Sequence, residues 1–132
     1  MRYRVTNLTR NTLLADRAAR ADTFGSRLRG LMGVSALALG DGLHIAPCTG
    51  IHTFFMRIPI DAIFLDAGLV VVDICQALAP WRMSRVYLGA RSVLELPAGT
   101  SRASGTAPGD QLAFEVASSE KPPLRADGQL AD

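Results

Sequence analysis

The sequence has few cysteines and histidines and no long apolar run, and each shortage excludes a class of protein. Two cysteines and two histidines among 132 residues are too few for a closed structural zinc site at recognisable spacing. We therefore expect no metal and no other cofactor, and we interpret Cys48 and Cys75 as buried thiols without a disulfide. No segment reaches the roughly 18 uninterrupted apolar residues of a membrane helix. The start of the chain has charge but no apolar stretch behind it, so we expect a soluble, cytoplasmic protein with no membrane partner.

Lysine is almost absent, since Lys121 is the only one among 14 basic residues. The formal net charge of +2 is too small to indicate nucleic-acid binding by itself. Arginines are concentrated in the first 33 residues, but only Tyr3 and Phe24 could stack on bases there. We therefore expect no nucleic-acid partner.

The length and the 48% hydrophobic share predict a single folded domain over residues 1–117. Residues 118–132 contain Pro122 and Pro123 and no hydrophobic periodicity, which predicts a disordered C-terminal tail. Nothing in the composition determines the oligomeric state.

Short apolar or alternating segments, separated by turn residues, predict a mainly β fold. The predicted strands cover residues 3–8, 12–15, 42–46, 62–65, 69–74, 84–88, 92–96 and 111–116. Residues 22–33 predict one short helix, because Phe24, Leu28, Leu31 and Met32 fall on one helical face. Residues 99–109 are expected to form a loop or a single helical turn. This pattern is typical of a β-sandwich or a partly open barrel.

Several sequence blocks occur together and in a fixed order. They are Arg29-Gly30-Leu31-Met32, residues 51–61, Phe64-Leu65-Asp66, Pro80-Trp81, residues 94–99 and Gly109-Asp110. In this order they resemble domain-of-unknown-function family 192 over about residues 3–117. The resemblance implies a fold similar to a β-sandwich and implies no settled activity.

The block from His52 to Asp61 carries the clearest candidates for chemistry, because polar side chains interrupt an apolar segment. Burial of such a group without a hydrogen-bond partner costs roughly 2–7 kcal/mol, so each must be hydrogen-bonded or exposed to water. His52 and Asp61 could form an acid–base pair in which the carboxylate orients the imidazole. The structural alternative is that Asp61 accepts backbone N–H bonds at a turn after Pro59, while His52 caps a carbonyl.

Four further residues are candidates for a site. Glu95 either faces solvent or supplies a carboxylate beside His52. Cys48 precedes His52 by four residues, so a Cys–His nucleophile is conceivable, although a small buried residue is the simpler interpretation. Trp81 could offer an aromatic platform or belong to the core. The guanidinium of Arg29 could bind an anion.

These residues support three hypotheses about function. The leading one is a small binding module that takes a polar or anionic small molecule, or an extended peptide, in a cleft. That cleft would be lined by Arg29, His52, Asp61, Trp81 and Glu95. The second is a hydrolase or transferase that uses His52 with Asp61 or Glu95. The third is an interaction domain that adds a partner's strand to an exposed sheet edge.

Overall fold

The structure, a computed structural model, describes residues 1–23, 25 and 30–117. Seven strands and one short helix are defined within these ranges. In chain order they are β1 (Tyr3–Asn7), β2 (Thr12–Ala21), β3 (Asp41–Ile45), β4 (Ile60–Leu65), β5 (Val71–Leu78), β6 (Ser92–Pro97), α1 (Thr100–Ala103) and β7 (Leu112–Val116). The mainly β prediction is thus confirmed, and the segment predicted as a loop or single turn contains α1.

All seven strands belong to one sheet with the order β5-β4-β6-β3-β2-β1-β7. The predicted hairpins are present, since β1 pairs with β2 and β4 pairs with β5, both antiparallel. The first hairpin turns at Asn11, whose φ of 56° is a left-handed conformation that asparagine tolerates well. Strands β2 and β3 are parallel, which requires the long crossover of residues 22–40 between them.

The sheet curls into a half-barrel, the partly open barrel of the two predicted architectures. Its two edge strands approach each other at one end, where Val70 forms a β-bridge with Gln111. The backbone N–H of Val71 also donates to the carbonyl of Asp110 at 2.9 Å. Such contacts shorten the unpaired edges of an open sheet.

Both faces of the sheet are covered, which explains why the central strands lack clean alternation. Every residue of β4 and of β6 is buried. The concave face holds the main apolar core, formed by residues that include Val5, Leu14, Ile63, Leu65, Leu94, Leu96 and Leu112. The convex face carries two smaller clusters, centred on Phe64 with Val93 and on Leu43 with Ile45.

Two long connections cover the convex face in place of a second sheet. We call residues 46–59 the β3–β4 loop and residues 79–91 the β5–β6 loop. They hydrogen-bond to each other along their length through five backbone N–H groups: Cys48 to Arg91, Tyr87 to Thr49, Ser84 to Ile51, Thr53 to Arg82 and Trp81 to Thr53, at 2.8–3.0 Å. The strand predicted over residues 84–88 is therefore wrong, because this segment pairs with a loop instead of adding a strand to the sheet.

Two other predictions fall on residues that the structure does not describe. The helix predicted over residues 22–33 rests on positions 24 and 26–29, which lie outside the described ranges, while residues 30–33 form turns. The tail predicted over residues 118–132 lies wholly outside them. In the described part of the chain, no helix has the length and apolar character needed to span a membrane.

A candidate ligand cavity on the convex face

A cavity of about 120 Å³ lies between the convex face of the sheet and the β3–β4 loop. Strands β3 and β6 contribute Ile45 and Glu95, and the loop contributes Cys48, Ile51, His52 and Met56. The middle of the crossover between β2 and β3 completes the wall with Gly30, Leu31 and Met32. The walls are thus mainly apolar, and they include the three titratable side chains of Cys48, His52 and Glu95.

Glu95 is the only carboxyl group among the described residues that line this cavity. It follows Leu94 and precedes Leu96, both of which belong to the concave core, so strand alternation turns its side chain to the convex face. Its neighbours across the sheet are Leu43 and Ala62, neither of which can pair with a carboxyl group.

The environment of Glu95 disfavours its charged form. The residue is only 2% exposed, and its Oε2 atom has no hydrogen-bond partner in the described part of the chain. Burial raises the pKa of Glu95 from 4.5 to about 8. At neutral pH the side chain is therefore mostly a carboxylic acid, which can both donate and accept a hydrogen bond.

His52 reaches the cavity because the β3–β4 loop is held tightly at the next residue. Thr53 is fully buried, and its hydroxyl donates to the carbonyl of Ala79 at 2.6 Å while accepting the Arg82 N–H at 2.8 Å. His52 itself accepts the backbone N–H of Phe54 at its Nδ1 atom, at 3.2 Å. These bonds fix the ring against the backbone.

Cys48 lines the same cavity and is half-buried. Its Sγ atom donates to the carbonyl of Gly50 at 3.0 Å, and its backbone follows the cis Ala46–Pro47 peptide bond. The structure shows no disulfide between Cys48 and Cys75, and both thiols are half-buried where full burial was expected. Within the described ranges, no group of three or more potential ligand side chains is close enough together to hold a metal ion.

Asp61 is not brought together with His52 and Glu95. It pairs with Leu96 on β6, and it is absent from the described residues that line the cavity. Its carboxylate is fully buried and accepts four hydrogen bonds: from the N–H groups of Ala77, Gly99 and Ser101, and from the Ser101 hydroxyl at 2.7 Å. Asp61 therefore ties β4 to β5 and to the start of α1.

Trp81 lies outside the cavity, in an exposed aromatic group with Phe54 and Phe55. The centroid of its ring lies 4.7 Å from that of Phe55 and 6.0 Å from that of Phe54, and Trp81 is 55% exposed. Both Trp81 and Phe55 have positive φ, at 62° and 64°, which is unusual for bulky side chains. Exposed Met83 and Val86 continue this apolar surface along the β5–β6 loop.

Arg29, the remaining predicted site residue, lies outside the described residues. The sequence reasoning did not single out Thr53, which anchors the loop, or Met32 and Met56, which line the cavity. All three lie in distinctive sequence blocks, Met32 in residues 29–32 and Thr53 and Met56 in residues 51–61, and this position is the signal that could have indicated their roles. The residues lie up to 65 positions apart from Gly30 to Glu95, so local pattern could not join them.

A second unusual polar residue, His44, lies on β3 one position before the cavity residue Ile45. Its ring packs against Phe114 with a centroid distance of 4.5 Å, and its Nε2 atom is buried without a hydrogen-bond partner among the described residues. Burial, followed by the charge of Arg20, lowers the pKa of His44 to about 4. His44 is therefore neutral at physiological pH and behaves as part of the core.

These features define a β-rich half-barrel domain with a cavity between its convex face and the β3–β4 loop, lined by the buried acid Glu95. The chain belongs to domain-of-unknown-function family 192, described as an uncharacterised group, whose family model matches residues 5–114. This confirms the resemblance seen in the ordered sequence blocks.

Similar proteins occur in archaea under the name UPF0127. One from Thermococcus sibiricus is 36% identical over 115 residues, which cover 83% of this chain and 73% of the relative. One from Thermococcus gammatolerans is 39% identical over 100 residues, covering 73% of this chain and 65% of the relative. These names carry no activity.

The fold is also found in solved structures. A protein of unknown function from Novosphingobium aromaticivorans superposes with a TM-score of 0.75 at 23% identity, covering 86% of this chain and 84% of that one. A protein from Sinorhizobium meliloti gives a TM-score of 0.72, also at 23% identity, with coverage of 86% and 92%. At this level of identity the likeness shows the fold alone.

Proposed function

We propose that this protein is a small-molecule binding module whose site is the convex-face cavity. The observation that carries the proposal is the buried carboxyl group of Glu95, whose Oε2 atom lacks a partner while the residue lines an open space. Native proteins pair nearly all buried polar atoms, so an unpaired one beside a cavity is a natural place for a ligand's polar group.

The geometry supports a ligand of limited size with a mainly apolar body. An apolar cavity of roughly 150 Å³ can hold a benzene molecule, so about 120 Å³ suits a group of some five or six heavy atoms. Ile45, Ile51 and Met56 would contact the apolar part, while Glu95 and His52 would receive the polar part.

The proposed set of binding residues differs from the one derived from sequence. His52 and Glu95 are retained, and Cys48 joins them, because all three line one cavity. Asp61 is assigned to the framework, since its two oxygens are already occupied by four hydrogen bonds. The lining residues that the structure describes include no arginine or lysine, so the polar ligand we propose is neutral or cationic, not anionic.

Fragment binding followed by amide chemical shifts in NMR spectra tests this proposal. We expect fragments of five or six heavy atoms to shift the amides of residues 48–52 and of Glu95, and to lose this effect in Glu95→Gln. Glu115→Gln is the matched control, because Glu115 is an exposed glutamate on β7. If no fragment shifts these amides, or if Glu95→Gln binds unchanged, the cavity is not the binding site.

A hydrolase or transferase is the second candidate, because a thiol, an imidazole and a carboxyl group line the same cavity. These are the side-chain types of cysteine nucleophile sites, in which a base activates the thiol. Such a reaction would require a reactive thiolate, which iodoacetamide detects. Alkylation of Cys48 near neutral pH at least tenfold faster than that of a free thiol, slowed in His52→Ala, would support it; ordinary thiol reactivity would exclude it.

A further inference from the structure

The titratable side chains that line the cavity narrow the class of ligand it can bind. The titratable side chains among the described lining residues are Cys48, His52 and Glu95. Two of them become negative on ionisation, and no arginine or lysine accompanies them. Leu43 and Ala62, which flank Glu95 on the neighbouring strands, add no charge.

We propose, on the basis of the binding function above, that the cavity takes a primary alkylammonium group, with its nitrogen at Glu95 Oε2 and its alkyl chain along the apolar walls. The alkyl chain would lie among Leu31, Ile45, Ile51 and Met56. A chain of four carbons and one nitrogen has five heavy atoms, which matches a cavity of about 120 Å³.

A cation fits this position better than the other two classes of ligand. An anion would meet a buried acid with no described arginine or lysine beside it, so an apolar site would offer its charge little compensation. A neutral group would gain an ordinary hydrogen bond. An ammonium group would instead form charge-assisted bonds with an ionised Glu95, which are about twice as strong as neutral ones.

Binding of this kind moves a proton. The free protein holds Glu95 mainly as the carboxylic acid below pH 8, because burial raises the pKa of this group. When the ammonium group binds, Glu95 ionises to pair with it, and its proton is released to the buffer. Because one cation enters as one proton leaves, the net charge of the cavity does not change. Burial of the ion pair is therefore less costly than burial of a single unpaired charge.

The same chemistry can come from a free amine or from the side chain of a lysine residue, which also ends in four carbons and a nitrogen. A blocked lysine, Nα-acetyl-lysine N-methylamide, represents the second source and n-butylamine the first. The exposed apolar surface formed by Phe55, Trp81, Met83 and Val86 lies beside His52, at the rim that a peptide backbone would contact.

The test compares three probes of equal length at pH 6.5: n-butylamine, 1-butanol and butyrate. We expect n-butylamine to shift the amides of residues 48–52 and Glu95, with affinity at least tenfold higher than that of 1-butanol or butyrate. Calorimetry in two buffers of different ionisation enthalpy should show close to one proton released per amine bound. Glu95→Gln should weaken amine binding at least tenfold, and Glu115→Gln should leave it unchanged.

The outcomes separate this inference from the binding function. If 1-butanol binds as tightly as the amine, or no proton is released, the alkylammonium inference is wrong and the cavity remains a binding site for neutral molecules. If neither these probes nor the fragments shift the cavity amides, both proposals are wrong. Tight binding of the blocked lysine indicates a peptide source, and binding of n-butylamine alone indicates a free amine; either result supports the inference.

Discussion

Replacement of Glu95 by glutamine should change how the stability of this protein depends on pH. In the unfolded chain Glu95 ionises with an ordinary pKa of 4.5, whereas burial holds its native pKa at about 8. As pH rises above 4.5 the unfolded chain releases this proton while the native protein retains it, so rising pH favours unfolding. The contribution of Glu95 to stability is present in full below pH 4.5 and is lost as pH rises through 8.

The magnitude follows from the separation of the two pKa values. Each unit of separation corresponds to about 1.4 kcal/mol, so between pH 5 and pH 8 the wild-type protein should lose about 3 kcal/mol through this group. Glutamine does not titrate, and Glu95→Gln should not show this loss. The difference in unfolding free energy between the two proteins should therefore shift by about 3 kcal/mol in favour of the variant over this range.

Urea denaturation followed by far-ultraviolet circular dichroism at several pH values measures this difference. The slope of free energy against urea should be the same for both proteins, because the variant exposes the same surface on unfolding. Glu115→Gln is the control, and its difference from wild type should not change with pH. If the wild-type and Glu95→Gln curves run parallel from pH 5 to pH 8, Glu95 is already ionised and stabilised in the native protein, and the reasoning about the cavity is wrong.

Three further substitutions test the framework around the site. His44→Phe should keep the packing against Phe114 and remove the loss of stability that occurs as pH falls from 6.5 to 4, where the native histidine resists protonation. The unfolding free energy, measured at several pH values in this range, tests this. The same decrease in both proteins would contradict it. Asp61→Asn should destabilise the fold by about 2–4 kcal/mol, because an amide cannot accept all four hydrogen bonds. The control Asp22→Asn, at an exposed position, should cost under about 0.5 kcal/mol. Similar unfolding midpoints in urea for the two variants would refute this prediction. Thr53→Val keeps the side-chain volume but removes the hydroxyl that joins the two loops. It should destabilise the fold by about 1–3 kcal/mol and increase amide hydrogen exchange in both loops. Unchanged exchange in the β5–β6 loop would show that Thr53 does not anchor the loops.

The sequence determined the strands and the family, because these depend on local features. Turn residues at positions 9–11 and 66–68 separate apolar segments, and the structure has hairpins at both places. The apolar runs over residues 62–65 and 69–74 predicted strands covered on both faces. Every residue of β4 is buried, whereas most of β5 is half-buried or exposed. The ordered motif blocks are sufficient to identify the family.

Only the tertiary structure decided which polar residues share a site. Asp61 and Glu95 are both buried carboxyl groups next to apolar strand residues, and their local sequences look alike. The sheet register pairs Glu95 with Ala62 and Asp61 with Leu96, so strand alternation places the two carboxyl groups on opposite faces. A shift of one residue in that register would bring the two carboxyl groups to the same face, and register is set by contacts between distant segments. For the same reason, local sequence could not predict that Cys48, His52 and Glu95 line one cavity. Their positions depend on the pairing of two loops that are distant in the sequence.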